Sequence, residues 1–271
     1  MAKILEKIMI APNIHEVVVD APDIAAKAKA GQFVIIIADE FSERVPLTIS
    51  DINPDSGTVS FIFLEIGAST KKLAELQKGE ILYSFTGPLG RPFEISNVGE
   101  VALVGGCYGI GGIYPAIQAF KNAGNKVTVF LEARAGFLLY WRDKIEAAAD
   151  TVIYSTGDNS VGTKGHSHDA LKKVLDSGFK YDLVIAVGCT YMMFKISETT
   201  KPADIKTIVS MNSVMIDGTG MCGACRLVVD GKTKFACVDG PHFDGHKIDW
   251  DIVLARRKAY LTEEIISHER W

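Results

Sequence analysis

Val101-Ala102-Leu103-Val104-Gly105-Gly106-Cys107-Tyr108-Gly109-Ile110-Gly111-Gly112 runs from an apolar stretch into a cluster of glycines. Four apolar residues in a row suit a strand buried on both faces, and the glycines after them mark a turn that opens a helix. Small residues at such a turn let the backbone approach a pyrophosphate, and the helix N-terminus adds partial positive charge. Gly105, Gly106, Gly109 and Gly111 are the candidate contacts. The spacing is not a strict G-x-G-x-x-G, and a tight strand-to-helix turn without any ligand has the same composition.

Toward the C-terminus the rhythm continues. Lys126–Leu131, Thr151–Tyr154, Leu183–Val187 and Thr207–Ser210 read as strands with helices between them, the last helix near Tyr191–Glu198. Alternating strands and helices predict a parallel sheet with right-handed crossovers over residues 98–210. Glu132 ends the second strand, about 20 residues beyond the glycine turn, where an acidic group can bind a ribose hydroxyl. Arg134 nearby leaves the choice between NAD and NADP open. Two further loops fall at C-terminal strand ends, where open α/β sheets bind ligands. One is Thr156-Gly157-Asp158-Asn159-Ser160-Val161-Gly162; the other is Gly188-Cys189-Thr190-Tyr191-Met192-Met193. Asp158, Gly188, Cys189 and Met192 join the candidates. For Cys107 and Cys189 a small buried thiol is the plainer expectation, and neither is assigned as a nucleophile.

Toward the N-terminus the pattern is different. Glu16–Asp20, Gln32–Ala38, Val45–Ile49, Thr58–Leu64 and Ile81–Phe85 are strand candidates divided by Gly and Pro turns, with one short helix at about Thr70–Gln77. Many short strands of this kind predict a β-barrel over residues 1–97. Arg44-Val45-Pro46-Leu47-Thr48 follows a strand; an arginine can clamp a pyrophosphate, and Thr48 offers a hydroxyl to the edge of a flavin ring. Glu65-Ile66-Gly67-Ala68-Ser69-Thr70 precedes the short helix, whose backbone amides make a second anion site. Gly87-Pro88-Leu89-Gly90 closes the barrel region. Ser-Thr before a helix is commonly a cap and nothing more.

Residues 211–271 carry three of the five cysteines. Asp217-Gly-Thr-Gly-Met-Cys222-Gly-Ala-Cys225, followed by Cys237, gives D-x4-C-x2-C-x11-C. The plant-type [2Fe–2S] spacing is C-x4-C-x2-C…C, so three thiolates match it and a carboxylate stands at the first position. Asp before Gly is also a common turn. A zinc site of Cys3His type, completed by His242 or His246, is the competing reading. Glycines at 218, 220 and 223 suit a loop wrapped around a bulkier group, and the histidines follow Cys237 too closely for the second half of a zinc ribbon. After the cysteines, Asp251–His268 reads as a helix.

The 271 residues are 48% hydrophobic and 23% charged, with a net charge of -4. That balance argues against nonspecific nucleic-acid binding, which needs a basic face. No apolar run approaches a membrane span, and Met1-Ala-Lys-Ile-Leu-Glu-Lys carries charge too early for a secretory leader. Clustered cysteines without a disulfide framework point to a reducing cytoplasm.

In this order, R-x-P-L-T, G-A-S-T, G-P-L-G, G-G-C-Y-G-I-G-G-I-Y-P, G-C-T-Y-M-M and the cysteine loop resemble the ferredoxin–NADP reductase superfamily over almost the whole chain. Within it the chain resembles two related electron-transfer subunits. One serves type 1B dihydroorotate dehydrogenase. The other is the small (alpha) subunit of NADH-dependent reduced ferredoxin:NADP+ oxidoreductase, also described as the sulfide dehydrogenase beta subunit. The first is characterised by four cysteine ligands, the second by one aspartate and three cysteines, so Asp217 favours the second. The resemblance implies FAD on the barrel, NAD(H) on the parallel sheet and a [2Fe–2S] cluster held by Asp217, Cys222, Cys225 and Cys237. It also implies a larger partner subunit with its own flavin and iron–sulfur clusters, and coupling of NADH and reduced ferredoxin to NADP+ reduction by electron bifurcation. No side-chain acid or base is expected. A nonredox zinc-binding regulatory module is the alternative from another class.

Overall fold

The structure, a computed structural model, describes residues 2–269. Its first sheet is antiparallel and has seven strands: β1 (Ala2–Ala11), β2 (Ile14–Asp20), β3 (Phe33–Ile37), β4 (Val45–Asn53), β5 (Thr58–Leu64), β6 (Ile81–Leu82) and β7 (Ser84–Leu89). They lie in the order β6-β1-β2-β5-β4-β3-β7. The two edge strands, β6 and β7, are consecutive in the chain and separated only by Tyr83. That link nearly closes the sheet on itself, although β6 pairs only with Ala2 and Lys3 of β1. Two short helices belong to this part, α1 (Pro22–Ala25) and α2 (Ala68–Glu75). Val17, Val19, Val34, Ile36, Ile49, Phe61 and Phe63 fill the interior at 0–1% exposure, which is the inward half of a period-two alternation.

The second sheet is built from β8 (Glu100–Gly106), α3 (Gly109–Asn122), β9 (Lys126–Ala133), α4 (Arg142–Ala148), β10 (Thr151–Thr156), β11 (Thr163–Lys164), α5 (Ser167–Asp176), β12 (Leu183–Val187), α6 (Thr190–Thr200) and β13 (Thr207–Ser210). These six strands pair in parallel, in the order β11-β10-β9-β8-β12-β13. The chain moves outward from β8 through β9 and β10, then returns to the other side of β8 as β12. The switch point of the sheet is therefore between β8 and β12, where ligands of such sheets bind. Helices α3 and α4 cover one face, and α5 and α6 the other.

The last part is tied into both sheets. β14 (Arg226–Val229) and β15 (Lys232–Phe235) form a hairpin. β16 (His242–Asp244) then pairs antiparallel with β13, with Ser210 opposite His242. Two helices follow, α7 (Trp250–Arg256) and α8 (Leu261–Glu269), where one tail helix is predicted from sequence. Cys225, Leu227, Ala236 and Cys237 share one buried cluster with Phe33 and Ile35 of the barrel and with Met192, Met193 and Ile196 of α6. The cysteine segment thus packs at the seam of the two sheets.

Candidate functional site

A cavity of about 440 Å³ lies where the sheets meet. The barrel contributes Val45–Thr48, Ile62–Leu64, Ile66 and Thr70; the parallel sheet contributes Tyr108, Val187 and Gly188. Ser210–Ser213 and Met215, from the stretch leading to the cysteines, complete the wall with Arg257. Volume, mixed lining and position at the switch point all suit a cofactor site.

Tyr140 fixes the glycine turn from below. Its buried hydroxyl accepts the Gly111 N–H at 3.0 Å and lies 3.0 and 3.2 Å from the carbonyls of Cys107 and Tyr108. Burial pushes its pKa upward, so it stays a neutral donor. Asn212 fixes the turn from the side: its amide donates to Tyr108 Oη at 2.5 Å and to Gly188 O at 3.4 Å, and its Oδ1 accepts from Thr190 Oγ1 at 2.8 Å. It therefore couples the loops after β8, β12 and β13. Neither Tyr140 nor Asn212 was anticipated from sequence. Asn212 follows the C-terminal end of a strand, which is the same signal that picked out Gly188.

The nucleotide-site candidates divide. Gly105, Gly106 and Gly188 lie at neighbouring ends of β8 and β12, with Met192 buried beneath them. Gly109 opens α3. Gly111 points elsewhere: a Cβ there would stand 2.5 Å from Ile62 Cδ1 and 3.0 Å from Ser50 Oγ. Its small size serves the packing of α3 on the barrel. Glu132 is the last residue but one of β9, and both its carboxylate oxygens are engaged. Oε2 accepts the N–H and hydroxyl of Ser167 at 2.8 and 2.6 Å, and Oε1 lies 2.8 Å from His166 Nδ1. The same carboxylate raises the His166 pKa. Arg134 is exposed, and Asp158 is bound within its own turn by Ser160 N and Oγ, which holds its carboxyl below the usual range. Cys107 and Cys189 are both exposed, not buried, because they sit past the strand ends; Cys189 Sγ caps α6 through Met192 N at 3.4 Å.

On the barrel, Pro46, Leu47, Thr48 and Thr70 line the cavity. Thr70 Oγ1 also accepts the N–H groups of Ile66 and Gly67 at 3.0 Å, a helix cap. Ser69 donates to Glu43 at 3.1 Å, and Glu65 pairs with buried His15 at 3.0 Å. Gly87 packs against Val34. Arg44 Nε donates to Ile216 O at 2.7 Å and its Nη2 to Asp217 O at 3.0 Å. The guanidinium grips the cysteine segment through Nε and Nη2.

The four candidate ligands come together as two pairs. Cys225 Sγ and Cys237 Sγ are 3.3 Å apart and buried; Cys222 Sγ and Asp217 Oδ1 are 3.3 Å apart and more exposed. Burial and the neighbouring Cys225 thiol push Cys237 up to about 12. Slight burial of Asp217 acts to raise its pKa, but hydrogen bonds from the Cys222 thiol and the Met221 and Thr219 amides outweigh it and hold the carboxyl at about 2. Amides point inward: Met221 N and Cys222 N donate to Asp217 Oδ2 at 2.7 and 3.2 Å, and Ala224 N and Cys237 N reach the sulfurs of Cys222 and Cys225 at 3.4 Å. Among the described residues, no group of three or more His, Cys, Asp or Glu gathers closely enough for a single metal ion. His242 is stacked on Phe93 at 3.6 Å, and His246 bonds Thr200 at 2.9 Å. Three soft thiols and one carboxylate, set as two pairs, fit a two-iron cluster better than one tetrahedral zinc.

Residues 212–249 match the family described as the iron–sulfur cluster binding domain of dihydroorotate dehydrogenase B. A homolog of the dihydroorotate dehydrogenase B (NAD(+)) electron transfer subunit from Thermotoga maritima is 40% identical, over 99% of this chain and 95% of its own length. A probable dihydroorotate dehydrogenase B (NAD(+)) electron transfer subunit from Methanocaldococcus jannaschii is 34% identical, over 92% and 90%. A chain of the solved NADH-dependent reduced ferredoxin–NADP oxidoreductase, studied for flavin-based electron bifurcation, superposes with a TM-score of 0.94 at 39% identity, covering 100% and 97%. With its barrel, its parallel sheet and its cysteine segment in that order, the chain belongs to the family of dihydroorotate dehydrogenase B electron transfer subunits and their homologues, which are components of oxidoreductases.

Proposed function

We propose that this chain passes electrons between NAD(H), FAD and a [2Fe–2S] cluster to a larger flavin and iron–sulfur partner, as the small subunit of an NADH-dependent ferredoxin:NADP+ oxidoreductase that works by electron bifurcation. The observation that supports it most is the paired donor set, Asp217 with Cys222 and Cys225 with Cys237, packed at the seam beside the cavity. In this reading residues 1–97 hold the flavin, 98–210 the nicotinamide dinucleotide and 211–271 the cluster. Pro46, Leu47, Thr48 and Thr70 bind the flavin, and the turn at Gly105, Gly106 and Gly109 with Gly188 receives the dinucleotide. When bound, FAD exchanges electron pairs with the nicotinamide and single electrons with the cluster. The chain's own contribution is to hold these groups in one crevice and to exclude water from it. Tyr140, Asn212 and Tyr108 keep the loops in register.

The test is anaerobic purification of the natural complex from the cytoplasm, followed by iron, acid-labile sulfide and flavin analysis of the chain. Two irons, two sulfides and one FAD per chain are expected. Zinc without iron, in a colourless protein, would refute the reading. A second reading, the electron-transfer subunit of an NAD-dependent dihydroorotate dehydrogenase, is favoured by the names of the curated relatives. The co-purified partner separates the two: one that carries FMN and no iron–sulfur cluster supports dihydroorotate oxidation. Asp217→Cys is expected to keep the cluster and move its potential.

A further inference from the structure

Three arginines from outside the cysteine segment each reach a different turn of it. Arg44, immediately before β4, donates to Ile216 O and Asp217 O. Arg91, just past β7, donates through Nε to Val238 O at 3.0 Å, while its own N–H reaches Gly240 O at 2.7 Å. Arg256, on α7, donates to Ala224 O at 2.9 Å. The three targets adjoin Asp217, Cys222 with Cys225, and Cys237. Every ligand-bearing turn therefore has one guanidinium on it. Arg226 differs, since its bond to Gly223 O lies within its own turn.

The bonds also fix which way the peptide groups face. At Ala224 the carbonyl goes out to Arg256 and the amide goes in to Cys222 Sγ. Around Asp217 the carbonyl goes to Arg44, and the amides of Met221 and Cys222 go to the carboxylate. Holding carbonyls outward leaves N–H groups for the ligand atoms, and hydrogen bonds to sulfur together with net charge set an iron–sulfur potential. A guanidinium keeps its charge at any working pH and adds positive potential nearby.

We propose that Arg44, Arg91 and Arg256 form a collar that orients the ligand-bearing turns and raises the reduction potential of the group they hold. This rests on the iron–sulfur reading above. None of the three is a catalytic residue; they are positioning residues that act through the turns they grip.

The experiment uses the full chain, purified anaerobically, with Arg44→Met, Arg44→Lys, Arg91→Met and Arg256→Met. EPR-monitored redox titration reads the potential, iron analysis reads occupancy, and circular dichroism reads the fold. Removing a positive charge disfavours the reduced state. Each Met variant that keeps iron is expected to show a lower reduced-to-oxidised ratio at fixed potential, by about tenfold for Arg44, or ~59 mV for one electron. Arg44→Lys restores the charge but not the two-carbonyl fork, so it is expected to recover most of that ratio. Loss of iron from Arg44 variants with unchanged circular dichroism supports the positioning half. Iron-bearing Arg44→Met, Arg91→Met and Arg256→Met all at the wild-type potential overturn the proposal. A wild-type chain without iron sinks the iron–sulfur reading instead, so the two failures are distinct.

Discussion

Gly218→Ala is the sharpest single perturbation of the cysteine segment. Gly218 follows Asp217, is buried, and has φ +75°. An L-residue in the left-handed region costs ~1–2 kcal/mol. The added Cβ would also stand 2.8 Å from Ile35 Cγ1 and 3.1 Å from Ile35 Cδ1. Overpacking of that kind costs ~1–3 kcal/mol. The lower chain entropy of alanine in the unfolded state offsets ~0.4–1 kcal/mol. The net is a destabilisation of about 1.5–4 kcal/mol, confined to the turn that presents Asp217. A mid-range 3 kcal/mol raises the open population of that turn roughly 150-fold. Amide hydrogen exchange at Met221 and Cys222 reads this directly, because both amides bond the Asp217 carboxylate. Their exchange is expected to accelerate by that factor while amides of β12 stay as they were. A double-mutant cycle with Ile35→Ala separates the two causes, since removing Cγ1 and Cδ1 takes away the two shortest contacts, leaving Leu89 Cδ1 at 3.3 Å and the backbone strain. The expected coupling is about 1–3 kcal/mol. Unchanged exchange in Gly218→Ala refutes the whole estimate, and a strictly additive cycle refutes its steric half.

Three other outcomes follow from the same geometry. Gly111→Val is expected to cost ~1–3 kcal/mol through its contact with Ile62, and Ile62→Ala in the same chain is expected to restore reduction of the flavin by NADH; no recovery would return Gly111 to the dinucleotide site. Asn212→Leu leaves Tyr108 and Thr190 without their shared partner and is expected to lower stability in denaturant titration by about 1–3 kcal/mol; a neutral result would show that water replaces it. Glu132 raises the His166 pKa, so their interaction stabilises fully below the unfolded histidine value of about 6.5 and is lost as pH rises through the raised folded value. NMR titration is expected to show the His166 pKa falling in Glu132→Gln; an identical titration in both proteins would break the link.

Much of the fold was legible because apolar runs say where buried strands lie. Thr58–Leu64, Leu183–Val187 and Thr207–Ser210 were read to the residue. β1 was missed: Lys3, Glu6 and Lys7 interrupt it, and Leu5, Ile8 and Met9 are exposed, so no clean alternation marks it. The tail was read as one helix because composition alone does not reveal the break at residues 257–260. At the site, the spacing of Asp217 and the cysteines was visible, since ligand separation along the chain is a sequence property. The bonds of Arg44 to Ile216 and Asp217 are not legible, because a guanidinium that reaches a residue more than 170 positions away leaves no local trace. Tyr140 is illegible for the same reason, since it works across loops that only the folded sheet brings together, whereas Asn212 carries the strand-end signal but no trace of its partners.

The pairing of Ser210 with His242 has a wider meaning. Everything between those two residues, all four candidate ligands included, leaves and re-enters the parallel sheet at a single rung. The ends of the excursion are already side by side, so the entropy of closing it is met by a ladder that would exist for other reasons. A segment so attached behaves as a cassette. It can be exchanged or replaced by a short turn without rethreading any strand, which offers a simple route by which a two-part reductase gains or loses a one-electron outlet.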